Sequence, residues 1–173
     1  MVVERRYKIM RLFIAVQLSE DMRDEICRVQ GDLQRMGVRG NYTPRENLHL
    51  TLAFIGDYND PEQVLDVVNS IPFGPFELRL DGMSCFGDLW WAGLEPSSAL
   101  QDYVRQLRHA LAEACIPFDR KRFSPHITVL RRASMERSRL PGISIENVGM
   151  IAYHASLMRS DRGKRGMIYT ELQ

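Results

Sequence analysis

Two short segments of the chain repeat one arrangement of a histidine and a threonine. The segment "NLHLTLAFIG" contains His49 and Thr51, and the segment "FSPHITVLRR" contains His126 and Thr128. Successive side chains of a β-strand point to opposite faces of the sheet, so residues two apart share a face. Each segment therefore predicts an imidazole and a hydroxyl side by side. If the two strands face each other across a cleft, all four groups can reach one ligand.

These four side chains suit the chemistry of a phosphodiester. Such a reaction needs a base that takes a proton from the attacking oxygen and an acid that protonates the leaving oxygen. Histidine, with an ordinary pKa of about 6.5, can fill either role near neutral pH. The hydroxyls can donate hydrogen bonds to the non-bridging oxygens as negative charge builds up there. We therefore predict that His49 and His126 are catalytic, that Thr51 and Thr128 bind phosphate, and that no metal is needed.

Other interpretations of the same residues are weaker. A single histidine on a strand is usually structural and threonine is common in strands, so it is the repetition that favours a site. The remaining histidines lack the pattern, because His109 lies on the polar side of a predicted helix and His154 has no threonine two positions later. Neither H-x-T segment has a carboxylate or cysteine at a metal-ligand spacing, and no G-x-S-x-G motif indicates a nucleophilic serine. We expect no metal and no cofactor.

The composition is that of a globular protein with an uneven charge distribution. The 173 residues are 45% hydrophobic and 26% charged, with a formal net charge of +1. Residues 1–100 contain 10 basic and 15 acidic side chains, whereas residues 101–173 contain 13 and 7. A basic second half could bind phosphates. Arginine makes up 20 of the 23 basic residues, which suits bidentate phosphate contacts, although codon bias explains the excess as easily.

The cysteines and the N-terminal segment indicate in which cellular compartment the protein is expected. Cys27, Cys85 and Cys115 are odd in number and far apart, so they predict neither a disulfide framework nor a zinc site. We therefore expect a protein of the reducing cytoplasm. No apolar run reaches the length of a membrane-spanning helix, and the first apolar stretch is too short for a signal peptide with its flanks. Residues 1–9 are predicted to be a frayed extension or an upstream start.

Helices and strands alternate along the first half of the chain. "RLFIAVQL" predicts a buried strand, and Ser19 is expected to cap a helix that ends at Gly37. "HLTLAFI" predicts the next strand. Asp60, followed by Pro61, is expected to cap a second helix. After the "PFGP" turn, three short strands are predicted over "FELRL", "MSCF" and "LWWAGL".

The second half repeats the order of helix and H-x-T strand. A capping box of Ser98 and Gln101 predicts a helix that ends before Pro117, and "FSPHITVL" predicts the strand that follows. The tail predicts two or three more strands, with the basic loop 159–166 between the last pair. This order indicates an α+β fold with mostly antiparallel pairing. Because each half delivers a helix and then an H-x-T strand, we expect one duplicated, two-lobed domain over 1–173.

The two H-x-T segments resemble the signature motifs of the 2H phosphoesterases, which are named for this pair. The resemblance is closest to the bacterial and archaeal RNA 2′,3′-cyclic phosphodiesterases, also called 2′-5′ RNA ligases. The segments "MRLFIAV", "LWWAGLE" and "ASLMRSDRGKRGMIYTEL" are similar to that group at the corresponding places. The resemblance therefore covers nearly the whole chain from Met10.

This resemblance implies a fold and an activity. The fold would be bilobal, with two pseudo-symmetric lobes of mostly antiparallel sheet, helices packed outside, and both motifs lining a central cleft. The activity would be metal-independent opening of a 2′,3′-cyclic phosphate to a 2′-phosphomonoester, with 2′-5′ ligation as the reverse reaction. By position His49 and His126 match the family's catalytic pair. The family usually gives the first histidine the acid role and the second the base role.

Two further residues are candidates for substrate binding. Arg131 matches a basic position that the family often keeps after its second motif, yet alternation points it away from His126 unless the strand bends. Phe54 could line a nucleoside pocket, yet alternation groups it with core-facing leucines. The loop Arg159–Arg165 could grip an RNA backbone, although a solvated turn is the commoner fate of such a run. A salt-bridged structural role for Arg131 is an equal alternative.

The expected partners are RNA ends or nucleotides that carry a 2′,3′-cyclic phosphate. We expect the protein to be a monomer and not to bind a membrane. Other substrates of relatives stay open at this point, namely ADP-ribose 1″,2″-cyclic phosphate and 2′-5′ linked oligoadenylates. A rival of a different class is a non-catalytic module that binds RNA ends or nucleotides in the same cleft.

Overall fold

The computed structural model describes residues 8–134 and 142–173, so the expectation for residues 1–9 falls mainly outside the described residues. The helices of the described residues are α1 (Glu20–Arg35), α2 (Pro61–Ser70) and α3 (Ser98–Glu113). The strands are β1 (Met10–Gln17), β2 (Asn41–Tyr42), β3 (His49–Tyr58), β4 (Phe76–Phe86), β5 (Leu89–Leu94), β6 (Ile127–Arg131), β7 (Gly149–Ala152), β8 (Ser156–Gly163) and β9 (Gly166–Leu172).

The strands form two sheets, and every described pair is antiparallel. The four-stranded sheet has the order β3-β1-β8-β9, and the five-stranded sheet has the order β2-β6-β5-β4-β7. The α+β class with antiparallel pairing is therefore confirmed. The first H-x-T segment lies on β3 at the edge of one sheet, and the second leads into β6 of the other. His49 is thus the first residue of β3 in one sheet, and His126 directly precedes the first residue of β6 in the other.

The helix ends show how local sequence fixes the elements. Ser19 Oγ accepts a hydrogen bond from the backbone N–H of Met22 at 3.2 Å, and Asp60 Oδ1 accepts one from Gln63 N at 3.0 Å, as predicted. The predicted cap of α3 is wrong by one residue. Ser97, in extended conformation, is the cap, while Ser98 already belongs to the helix.

Two other sequence predictions are corrected. The strands predicted over "FELRL" and "MSCF" are one strand, β4, whose register against β5 shifts between Leu80 and Met83. Gly82, at φ +69°, lies in this irregularity and lets the strand continue through it. The predicted basic loop 159–166 is mostly strand, because β8 continues to Gly163 and β9 begins at Gly166.

Strand β1 is buried on both faces and so separates the core from a second cluster. Leu12, Ile14 and Val16 point into the main core, where α1 and α3 also place their apolar faces. Phe13 and Ala15 point the other way, into a small cluster with Met158, Phe54 and Tyr169. This explains why the sequence of β1 shows no polar alternation.

A β-bulge interrupts β3 directly after its H-x-T segment. Thr51 pairs with Ala15 and Ala53 pairs with Ile14, so Leu52 is an extra residue in the pairing. Leu52 and Ala53 are both buried. The alternation is therefore shifted by one residue, and Phe54, which pairs with Phe13, returns to the face of His49.

Strand β6 contains a bulge at the same place relative to its histidine. Thr128 pairs with Trp91 and Leu130 pairs with Trp90, which makes Val129 the extra residue. Val129 and Leu130 are both buried, and Arg131 is exposed. The sequence prediction assumed strict alternation and therefore placed Phe54 and Arg131 on the wrong faces. Each bulge shifts the alternation of faces by one residue.

Gly40 allows β2 to approach the end of β6 closely, and this contact yields a stability prediction. Its φ is +152°, and a Cβ there would lie 2.7 Å from the carbonyl oxygen of Arg131.

Gly40→Ala should lower the free energy of unfolding by about 1–3 kcal/mol. Gly31→Ala is the control, since its Cβ would meet only the Arg35 guanidinium at 3.5 Å. In helix α1 that change should stabilise by about 0.5–1 kcal/mol. Urea unfolding of both variants tests this, and equal stabilities would contradict it.

Candidate active site

One cavity brings together the six residues predicted to be catalytic, phosphate-binding or substrate-binding. It has a volume of about 650 Å³ and is bounded by residues of both sheets. Its lining comprises Arg11, Phe13, Thr43, Asn47, His49, Thr51, Phe54, His126, Thr128, Arg131, Ser160, Arg162, Met167 and Tyr169. The two imidazoles, the two threonine hydroxyls, Phe54 and Arg131 therefore line the same space.

The two imidazoles are oriented in the same way. His49 Nδ1 lies 2.7 Å from the carbonyl oxygen of Asn47, and His126 Nδ1 lies 2.7 Å from that of Ser124. A carbonyl oxygen only accepts hydrogen bonds, so Nδ1 must carry the hydrogen in both rings. Each neutral ring then has its lone pair on Nε2, which is the atom available for proton transfer.

Asn47, in the turn directly before β3, fixes the orientation of His49 and is itself tied to strand β9. Its side chain is buried, and its Nδ2 donates to the carbonyl oxygen of Met167 on β9 at 2.8 Å. The same residue's backbone carbonyl holds the imidazole. Sequence reasoning missed Asn47, although its position two residues before the histidine was a usable signal.

The surroundings of His49 favour its neutral form. Burial lowers the pKa of His49, and the positive charges of Arg131 and of a protonated His126 lower it further, while the bond to the Asn47 carbonyl acts in the opposite direction. The pKa of His49 therefore lies below its ordinary value of about 6.5. In this form Nε2 can accept a hydrogen bond from the Thr51 hydroxyl, whose oxygen lies 2.9 Å away.

Aromatic side chains surround both imidazoles. The ring centroids of Phe13 and Tyr169 lie 4.9 Å and 5.3 Å from that of His49. On the other side, Phe86 and Trp91 lie 5.5 Å and 5.8 Å from His126. These four residues come from β1, β9, β4 and β5, far from the histidines in sequence, so no local pattern indicated them.

Three arginines give the cavity a positive lining. Arg11, Arg131 and Arg162 all contribute to its wall, and the Arg11 guanidinium lies 5.1 Å from the ring centroid of Phe54. Arg159, by contrast, donates to Asp161 at 2.7 Å. The basic segment predicted as a loop therefore reaches the cavity from strand β8, through Ser160 and Arg162.

The other histidines and the cysteines lie outside this cavity. The His109 side chain is 76% exposed on the solvent side of α3, as predicted, and His154 is exposed between β7 and β8. Cys27, Cys85 and Cys115 are free thiols. Within residues 8–134 and 142–173, no three or more histidines, cysteines or carboxylates are grouped so that they could hold a metal ion. In the same part of the chain, no helix combines the length and apolar character needed to cross a bilayer.

Comparison with known proteins agrees with this geometry. The family model of the 2′-5′ RNA ligase superfamily matches residues 22–143. The RNA 2′,3′-cyclic phosphodiesterase of Methanothermobacter thermautotrophicus is 30% identical over 178 residues, which cover 94% of this chain and 96% of that protein. Crystal structures of Escherichia coli LigT complexed with 3′-AMP and with phosphate superpose with TM-scores of 0.80 and 0.77, at 25% and 26% identity, over 96% of both chains. The chain therefore belongs to the 2′-5′ RNA ligase superfamily.

Proposed function

We propose that this protein hydrolyses the 2′,3′-cyclic phosphate of RNA ends or nucleosides to a 2′-phosphomonoester, by acid–base catalysis without a metal. The observation that carries the proposal is the matched pair of imidazoles in one cavity, each with Nδ1 bonded to the carbonyl two residues earlier. The names of the relatives support the same reaction, since the Methanothermobacter protein is an RNA 2′,3′-cyclic phosphodiesterase.

The proposed step moves one proton at each histidine. One imidazole takes a proton from water as the water oxygen bonds to phosphorus. The other protonates the 3′-oxygen as the bond between phosphorus and that oxygen breaks, which leaves the phosphate on the 2′-oxygen. The hydroxyls of Thr51 and Thr128 and the guanidinium of Arg131 line the same cavity, where they would stabilise charge on the non-bridging oxygens.

The charge state of His49 sets a condition on its role. The family resemblance gives His49 the acid role and His126 the base role, yet burial lowers the pKa of His49 and so favours its neutral form. An anion beside an imidazole favours the protonated form. We therefore propose that substrate binding raises the pKa of His49 and loads it with the proton that it later donates. The Thr51 hydroxyl would then turn from Nε2 toward the phosphate.

The cavity walls suit the remainder of a nucleotide. Phe54 and the neighbouring rings of Phe13 and Tyr169 offer apolar surface beside His49, against which a nucleoside could pack. Arg11 and Arg162 lie on the same wall and could contact a neighbouring phosphate of an RNA chain. Arg131 and Phe54 are thus proposed as substrate-binding residues.

The two histidines define the first prediction for this function. His49→Ala and His126→Ala should each lower kcat for a nucleoside 2′,3′-cyclic phosphate by roughly 10²–10⁴-fold, the usual contribution of a general acid or base. His109→Ala and His154→Ala are matched controls and should retain wild-type kcat. Turnover is measured by product analysis in excess chelator.

Two outcomes of that assay would oppose the proposal. Near-wild-type kcat in either His49→Ala or His126→Ala would rule out the paired mechanism. Binding of a 2′-phosphate product without turnover of any cyclic phosphate, including ADP-ribose 1″,2″-cyclic phosphate, would favour a non-catalytic module instead.

The proton-loading step predicts a titration that NMR can follow. In the free protein the His49 ring should titrate with a midpoint below pH 6.5, because burial lowers its pKa. Saturating inorganic phosphate should raise that midpoint, since the anion stabilises the imidazolium. Binding of phosphate should accordingly tighten as the pH falls toward the free midpoint. A His49 midpoint above 6.5 in the free protein, or one unaffected by phosphate, would contradict the mechanism.

The same pair of histidines should also join two RNA ends, with each imidazole keeping the role that it has in hydrolysis. A ribose 5′-hydroxyl would replace water as the attacking group. Mixing an oligonucleotide that ends in a 2′,3′-cyclic phosphate with a 5′-hydroxyl oligonucleotide at high concentration should give a 2′-5′ linked product, identified by its resistance to a nuclease specific for 3′-5′ bonds. His49→Ala should remove it, and formation of a 3′-5′ bond would contradict the proposal.

A further inference from the structure

The carbonyl groups of both bulges are bound by side chains from helices. The Val129 carbonyl oxygen accepts a hydrogen bond from Gln30 Nε2 at 3.1 Å and one from the backbone N–H of Thr43 at 3.0 Å. The Leu52 carbonyl oxygen accepts a bond from an Arg108 Nη atom at 3.3 Å. The extra residue of a bulge is left out of the regular ladder, so its buried carbonyl needs such a partner.

The two donors occupy equivalent places in the two halves of the chain. Gln30 is the eleventh residue of α1, and Arg108 is the eleventh residue of α3. Each side chain donates a hydrogen bond to the backbone carbonyl of the residue three positions after an H-x-T histidine. The helix and the bulge belong to opposite halves, however, since Gln30 of the first half binds Val129 and Arg108 of the second half binds Leu52.

Each donor also binds the segment that leads to the histidine of its own half. Gln30 Nε2 donates to the Thr43 carbonyl at 2.8 Å, and an Arg108 Nη atom donates to the Lys121 carbonyl at 2.7 Å. Each side chain thus ties the approach to one H-x-T segment to the bulge of the other. The two halves are cross-linked reciprocally through these four carbonyls.

The chemistry of the donors fits this bridging role. Gln30 is buried, and because both of its partners are carbonyl oxygens, the amide must present its NH₂ group to them. The Arg108 guanidinium has several N–H groups in a fixed plane and reaches its two carbonyls with different nitrogens. It also lies 5.6 Å from the ring centroid of Phe123, which helps to hold it in place.

We propose that Gln30 and Arg108 are positioning residues for the reaction, each acting through the bulge that it holds. Gln30 keeps the β6 bulge that turns Arg131 into the cavity, and Arg108 keeps the β3 bulge that turns Phe54 into it. This inference rests on the proposed function for its catalytic readout. It assigns a role to two helix residues that touch no substrate.

Double-mutant cycles test whether Gln30 acts through Arg131 and Arg108 acts through Phe54. Gln30→Met and Arg131→Ala should each lower kcat/KM about tenfold, and the double variant should be no worse than Arg131→Ala alone, because coupled residues do not act independently. Gln30→Met with Phe54→Ala should give the product of the two single effects. Arg108→Met should show the reverse pattern, coupling to Phe54 and acting independently of Arg131.

Matched controls separate positioning from general stability. Gln34→Met and Arg105→Met change exposed side chains of the same two helices and should keep kcat/KM within twofold of wild type. If the methionine variants fail to fold, Gln30→Asn and Arg108→Lys, which can keep one of the two bonds, should show the same coupling with smaller effects. Multiplicative effects in all four cycles would overturn the proposal.

A binding measurement keeps this inference distinct from the proposed function. Gln30→Met should weaken binding of inorganic phosphate about as much as Arg131→Ala does, whereas Arg108→Met should leave it unchanged. A second outcome is that the variants show this pattern of phosphate binding while the wild type turns over no cyclic phosphate. In that case the proposed function fails and the positioning role stands. Equal weakening by Gln30→Met and Arg108→Met would refute the positioning role itself.

Discussion

The β-bulge after each H-x-T segment is the constraint on which the cavity depends. A regular strand would send every second side chain to the core, so a histidine and the residue five positions later would lie on opposite faces. The extra residues Leu52 and Val129 reverse that relation. Histidine, threonine and a later side chain then share one face, and the two inserted residues stay buried in the core. Phe54 on one side and Arg131 on the other make the two halves of the cavity chemically different.

This asymmetry places two similarly oriented histidines in different environments. The two histidines share one tautomer and one kind of backbone partner, but their surroundings differ. His49 is packed among Phe13 and Tyr169 and has a lowered pKa, whereas Phe86 beside His126 is 51% exposed. Two titratable groups in different environments can divide the acid and base roles. The proposed mechanism uses this difference, with phosphate binding as the event that charges His49.

The sequence predicted the parts of this site that depend on short-range rules. The period of two placed each histidine beside its threonine, and cap residues placed the starts of α1 and α2. It misplaced Phe54 and Arg131, because the bulged residues are ordinary strand formers and nothing local distinguishes them from paired ones. Ser97 and Ser98 are both good caps, so only the backbone conformation decides between them. The aromatic rings around the imidazoles come from strands that are distant in sequence. Only the pairing of these strands into sheets brings the rings together.

The most direct test of this account is a crystal structure of the protein with inorganic phosphate in the cavity. One phosphate should lie between the two imidazoles, within hydrogen-bond distance of both Nε2 atoms and of the Thr51 and Thr128 hydroxyls, with Arg131 turned toward it. A phosphate that contacts only one of the two histidines, or that occupies another part of the surface while the cavity stays free, would contradict the paired acid–base mechanism.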